Sequence, residues 1–265
     1  TMTDTVSIKD LAYADYDGRV MYLDLHRPAG EPGPLPVIVW IPVGGWRGSA
    51  KENAPTWLTR HGFALASPNC RVSGEAIAPA AIHDCKAAVR WLRASCQEHG
   101  LDPERIGSAG SSAGGHLSAL LAVSRGVEEL EGNGGNPDQS SAVQAALAVC
   151  GPADLSRIAV PEIRAQFPVL YEVTENFLGG PVAERAELCR LMSPLTYVSR
   201  ECPPLLVIHG AEDPTVPVEE SLIFHQALQE AGSEVHLTIL DGVGHGCPWD
   251  QVEDSVVSFF HRSLR

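Results

Sequence analysis

Residues 105–121 read RIGSAGSSAGGHLSALL, and this stretch decides the fold. Arg105 to Ala109 is a short, mainly apolar run of the kind that makes a buried strand. From Ser112 to about Ser124 the residues turn to good helix formers. A strand therefore passes straight into a helix, and Gly110-Ser111-Ser112-Ala113-Gly114 occupies the joint. Ser112 alone has glycine at both −2 and +2, whereas Ser108 and Ser111 do not. Flanking glycines let the chain turn sharply without Cβ clashes, which lifts the serine hydroxyl clear of the sheet edge. The start of the following helix favours negative charge there. Ser112 is the candidate nucleophile.

Strands and helices alternate outward from this joint. PVIVWIPV (36–43), GFALAS (62–67), Val143 to Cys150 and Pro204 to His209 are apolar runs suited to strands buried on both faces. Between them, Pro79 to His99 carries Ile82, Cys85, Val89, Leu92 and Cys96 on one helical face. Val218 to Ala231 predicts a helix closed by Gly232. Glu234 to Leu240 predicts the last strand, and Asp250 to Arg262 a closing helix. Such alternation implies an α/β fold with a mostly parallel central sheet and helices on both faces. Ser7 to Tyr13 and Val20 to His26 are polar and alternating, as an antiparallel edge requires. One domain spanning residues 1–265 is expected.

Two stretches interrupt the rhythm. Residues 126–141 (GVEELEGNGGNPDQSS) read as an exposed loop. Residues 151–200 hold helical fragments and prolines at 152, 161, 168, 181 and 194. This segment is too long for a plain loop. It reads as a small helical cap inserted between two core strands, with ordinary crossover helices as the other reading.

A serine hydroxyl needs a base, and the base needs an orienting acid. Behind a strand–serine–helix joint, acid and then histidine follow on loops after later strands. Asp213, in HGAEDPTVP (209–217), follows one strand, and His245, in DGVGHG (241–246), follows the next. Glu212 and Asp241 are rival acids beside them. His209, His236 and His261 fall within or at the ends of predicted elements and read as core or surface histidines. The amide of Ala113, directly after Ser112, is one candidate oxyanion donor. The loop Pro42-Val43-Gly44-Gly45-Trp46 supplies Gly44 and Gly45 as others. Trp46 either lines a substrate pocket or packs beneath that loop.

Composition narrows the partners. Against 33 acidic residues stand 19 Lys and Arg, a net charge of −14, which disfavours nucleic acid and anionic membrane surfaces. Seven dispersed cysteines without a CxxC pair argue against a zinc cluster or a disulfide framework. No apolar stretch approaches the length of a membrane span, and Thr1 to Ala14 lack the pattern of a leader peptide. A cytoplasmic setting is expected, with secretion open should a leader have been removed. Self-association is left open.

Taken in order, PVIVWIPVGGWRGS (36–49), PAAIHDCKAAVRWLRA (79–94), RIGSAGSSAGGHLSALL, CGPADL (150–155), PPLLVIHGAEDPTVPVEES (203–221) and ILDGVGHG (239–246) resemble the hormone-sensitive-lipase-like and acetyl-xylan- or feruloyl-esterase-like α/β hydrolases. The resemblance runs from about residue 20 to the C-terminus. It implies the α/β-hydrolase fold and a Ser112–His245–Asp213 triad, with Gly44, Gly45 and Ala113 as oxyanion donors. It further implies hydrolysis of small acyl esters, acetyl or feruloyl on a carbohydrate, with a small-molecule substrate and no cofactor or metal. The family's oxyanion loop usually reads His-Gly-Gly-Gly-Trp; here Pro42 and Val43 replace the histidine and the first glycine. Two other readings share the motifs: an amidase, formamidase or peptidase on the same triad, and a ligand-binding receptor that retains the hydrolase fold.

Overall fold

The computed structural model describes residues 4–265; the first three residues of the stretch read for a leader lie outside it. Eight strands form one sheet: β1 (Thr5–Tyr16), β2 (Arg19–Pro28), β3 (Leu35–Ile41), β4 (Ala64–Pro68), β5 (Leu101–Ser111), β6 (Ala145–Val149), β7 (Leu205–Gly210) and β8 (Val235–Leu240). Their spatial order is β1-β2-β4-β3-β5-β6-β7-β8. The β1–β2 and β2–β4 pairs are antiparallel and all others are parallel. This is the α/β-hydrolase arrangement. The polar edge predicted from alternation is present, and β1 runs longer than its pattern implied because register shifts near Ile8 and Ala12 re-aim its side chains.

The inner parallel strands β3, β4, β6 and β7 are buried on both faces, so each alternates between two cores, while the edge strand β8 is only partly covered. Val37, Val39 and Ile41 face one core, where helix α1 (Ala80–Ala94), helix α2 (Ala113–Val123) and, later in the chain, Phe224 and Leu228 pack. Ile38 and Trp40 face the other, against Phe63, Phe259 and Phe260.

Between β6 and β7 lie α3 (Pro161–Gln166), α4 (Pro168–Leu178) and α5 (Ala186–Met192), joined by short 3₁₀ turns. Pro161 and Pro168 stand in the first turn of their helices, where a missing N–H costs nothing. Pro161 and Pro168 thus start α3 and α4. Its root is fixed from below by helix α6 (Glu219–Ala231), whose Gly232 cap is left-handed as predicted. Glu220 of α6 is 1% exposed, and its carboxylate accepts from the Ala153 and Asp154 amides (2.9 Å each) and from Arg157 Nε (2.9 Å). Helix α7 (Trp249–Ser263) closes the chain.

The stretch 126–141 departs from its reading as an exposed loop. Leu130 is fully buried, and Glu131 accepts from the buried Lys86 Nζ (2.7 Å) and from Ser141 Oγ (2.8 Å). A composition rich in Gly and acid hid this anchor, because its partner lies 45 residues away on α1.

The joint between β5 and α2 explains the two glycines around Ser112. A Cβ on Gly110 would stand 2.3 Å from the Gly114 carbonyl oxygen, and one on Gly114 would stand 2.2 Å from the Ile41 carbonyl oxygen. Both obstacles are backbone and cannot swing aside. Gly110→Ala or Gly114→Ala should therefore cost about 3 kcal/mol or more, the upper end for overpacking. Thermal unfolding would check this: a melting temperature within error of wild type contradicts the packing described.

Candidate active site

Ser112 sits at the joint with φ 58° and ψ −124°, a strained backbone for any residue with a side chain. Such a conformation costs on the order of 1–3 kcal/mol and persists only where neighbours fix it. Here the Ser112 amide donates to Val149 O (2.8 Å), and the Ser112 carbonyl accepts from the His116 amide (2.9 Å). The turn leaves the hydroxyl partly exposed at the C-terminal edge of the parallel strands.

The two later loops bring their residues to that edge. His245, after β8, places Nε2 2.9 Å from Ser112 Oγ. Its Nδ1 lies 2.7 Å from Asp213 Oδ2, on the loop after β7. The three predicted residues therefore form one hydrogen-bonded chain. Glu212 and Asp241, the rival acids, are both exposed. The Asp213 carboxylate is fully buried, and its other oxygen accepts from the Thr215 (2.7 Å) and Val216 (2.9 Å) amides. Burial by itself would raise its pKa, but hydrogen bonds from His209, His245 and these amides hold it well below the carboxylate range. Burial likewise disfavours an imidazolium at His245. The Asp213 carboxylate, with the Cys150 sulfur beside the ring, outweighs that and raises its pKa above 6.5.

Two neighbours of this chain were not singled out by pattern. His209, read as a core histidine, is buried and places Nε2 3.2 Å from Asp213 Oδ2 and 3.1 Å from Val216 O. Two acceptors at one nitrogen require that nitrogen to carry a proton, and Nδ1 pairs with Ser221 Oγ (2.7 Å). His209 thus braces the acid. Cys150 directly follows β6 with φ 42° and is fully buried, with Sγ 3.6 Å from Ser111 Oγ. Donor atoms of Cys150, Asp213 and His245 lie within 4.8 Å of one another, a set able to hold a metal ion in principle. Both His245 nitrogens already bond within the chain, to Asp213 and Ser112. His236 and His261 are on the surface, away from the site.

A cavity of 390 Å³ opens over Ser112, bordered by Gly44, Gly45, Ala113 and His245. Ala113 is the first residue of α2, where an amide has no partner within the helix. The Pro42-Val43 departure is absorbed locally. Val43–Gly44 pairs with Gly48–Ser49 as a small hairpin, Val43 is buried, and the Pro42 carbonyl accepts from the Ala50 amide (3.1 Å). Gly45 (φ 54°) and Trp46 (φ 51°) then turn the chain back. Trp46 borders the cavity but is only 1% exposed, its indole stacked on Phe177 at 4.8 Å and bonded through Nε1 to His116 Nδ1 at 3.1 Å. Burial pushes the His116 pKa down to about 4, so this imidazole is neutral. The remaining wall is largely apolar: Val169, Leu170 and Val173 of α4 with Val216. Among the described residues that border it, Arg47 is the one permanently charged side chain, and it lies 3.6 Å from Glu172.

The BD-FAE family model matches residues 23–228, which is most of the chain and includes Ser112 and Asp213. The chain belongs to the BD-FAE family. Like its relatives it is an α/β hydrolase: a truncated carbohydrate esterase from gut microbiota superposes with a TM-score of 0.85 at 27% identity, covering 99% of this chain and 97% of that one. A bifunctional GH43-CE protein of Bacteroides eggerthii gives a TM-score of 0.86 at 31% identity over 98% of this chain and 38% of that one. Among curated relatives, esterase LipQ of Mycobacterium tuberculosis is 34% identical over 223 residues, 82% of this chain and 51% of LipQ. The chain spans about half the length of the curated relatives it matches. No helix among the described residues is long and apolar enough to cross a membrane.

The electrostatics of this BD-FAE site are open to direct measurement. NMR titration of the His245 imidazole should give a midpoint above 6.5, and Asp213→Asn should lower it. An unchanged midpoint in Asp213→Asn would remove the carboxylate as the cause.

Proposed function

We propose that the chain is a serine carboxylesterase acting on short acyl esters, acetyl-type and carried on carbohydrate. The observation that carries this reading is the single hydrogen-bonded line Ser112 Oγ–His245 Nε2 and His245 Nδ1–Asp213 Oδ2, at 2.9 and 2.7 Å, under an apolar cavity. A neutral His245 takes the Ser112 proton as the oxygen attacks the ester carbonyl. The buried Asp213 carboxylate keeps the Nδ1 proton in place and offsets the charge that forms on the ring. Amides of Gly44, Gly45 and Ala113 receive the oxyanion. His245 then protonates the leaving alcohol, leaving an acyl group on Ser112. Water gives up a proton to His245 and attacks that acyl group; collapse frees the acid and restores Ser112.

Residues 151–200 act in this reading as a cap, because α4 supplies Val169, Leu170 and Val173 to the wall over Ser112. The apolar wall suits a short acyl chain, and the names of the carbohydrate-esterase neighbours support a sugar as the alcohol part.

Turnover of p-nitrophenyl acetate tests the reaction. Ser112→Ala should abolish it, and Asp213→Asn should lower kcat by about 10⁴-fold by disturbing the His245 tautomer. Because only neutral His245 accepts a proton, kcat/KM should rise with pH through a midpoint above 6.5, the side of the ordinary histidine value set by Asp213. Full activity in Ser112→Ala would overturn the mechanism. Ranking acetylated sugars, feruloyl esters and short p-nitrophenyl esters by kcat/KM tests the substrate class; indifference to the sugar would remove the carbohydrate part.

A further inference from the structure

His116 is the fourth residue of α2, one turn beyond Ser112, and is fully buried. The rest of that helix after its two glycines is apolar or Ser, so a buried imidazole there calls for a reason. Its two nitrogens reach two different parts of the chain. Nδ1 lies 3.1 Å from Trp46 Nε1, and Nε2 lies 2.7 Å from the Met192 carbonyl oxygen at the end of α5. An indole N–H can only donate and a carbonyl can only accept. The imidazole must therefore accept at Nδ1 and carry its proton on Nε2. No other tautomer, and no imidazolium, satisfies both partners.

Trp46 follows Gly45 in the turn that borders the cavity opposite Ser112, and both residues have positive φ. A tryptophan holds such a backbone only where its side chain is fixed from several sides. Phe177 of α4 fixes it by stacking at 4.8 Å with rings 16° apart. His116 fixes it by the hydrogen bond and by an edge-on contact at 5.2 Å. Three elements meet at this one ring: the helix that carries Ser112, the Gly44–Gly45 turn and the inserted helices.

We propose that His116 is a positioning residue for ester hydrolysis, setting the Gly44–Gly45 turn at the distance from Ser112 that oxyanion capture requires. It touches neither substrate nor reacting atoms. It acts through Trp46, and its bond to Met192 ties the turn to the inserted segment, so that cap and oxyanion loop share one support. This role rests on the esterase reading above.

Kinetics of His116→Leu, His116→Asn, Trp46→Phe and the His116→Leu/Trp46→Phe double variant on p-nitrophenyl acetate provide the test, with Ser112→Ala alongside. Trp46→Phe keeps an aromatic ring and removes only the donor and part of the stack. It should lower kcat by about 10- to 100-fold, less than the roughly 10²- to 10³-fold that follows outright loss of an oxyanion donor, with KM little changed. Affinity for a trifluoromethyl ketone, which forms a tetrahedral adduct on serine, should fall in parallel. His116→Leu should do the same, and His116→Asn, which retains an acceptor for the indole, should recover part of the loss. The double variant should be no worse than the poorer single one, because both break the same link. Loss of melting temperature with kcat and ketone affinity unchanged would make His116 a packing residue only and overturn the proposal. Additive losses in the double variant would overturn it too. Should His116→Leu fail to fold, Trp46→Phe and His116→Asn decide between the same outcomes. Activity retained in Ser112→Ala would instead sink the esterase reading itself.

Discussion

The crossing of β5 and α2 is the constraint on which the site depends. β5 meets α2 at Gly110, and α2 meets β3 at Gly114, so closely that a single Cβ on either glycine would meet a carbonyl oxygen. That approach forces Ser112 into a strained conformation, and the strain aims its hydroxyl out of the sheet. Val149, on the neighbouring strand, holds the Ser112 amide, so the strand order fixes the turn as firmly as the local sequence does. The parallel sheet then delivers the loops after β7 and β8 to the same edge, and His245 and Asp213 arrive within hydrogen-bond reach.

Around this edge the polar groups divide by solvent exposure. Asp213 is shut away from water and keeps its charge because four donors surround it. His245 keeps 26% of its side chain accessible and draws its basicity from that carboxylate. His116, a few residues from Ser112, has no ionic partner among the described residues, and burial keeps it neutral. Three neighbouring imidazoles, counting His209, thus sit in three distinct settings because their acceptors and donors differ.

Much of this was legible in the chain itself. Glycines at 110 and 114, an apolar run before them and helix formers after them suffice to place Ser112, since all the determinants are local. Asp213 and His245 were legible because parallel strands end on one side, so position after a strand stands in for position in space. Links formed across the fold left no such mark. The Trp46–His116 bond joins residues 70 apart, and Trp46 read equally well as a pocket wall or as packing. The prolines of 151–200 looked like interruptions, yet two of them open helices. The polar stretch 126–141 concealed Glu131, whose cationic partner on α1 is itself buried.

Glu220 gives the inserted segment a defined root. One buried carboxylate grips the Ala153 and Asp154 amides and the Arg157 guanidinium, and it belongs to the helix that follows the Asp213 loop. The segment is therefore modular only beyond Arg157. A chimera that borrowed a relative's corresponding segment from residue 151 onward would import foreign chain into the grip of a native α6, and would orphan a buried acid if the two did not match. One spliced after Arg157 would leave the clasp intact and exchange only the helices that shape the cavity. The clasp thus marks a point about seven residues into the segment 151–200, at a charge the solvent never sees.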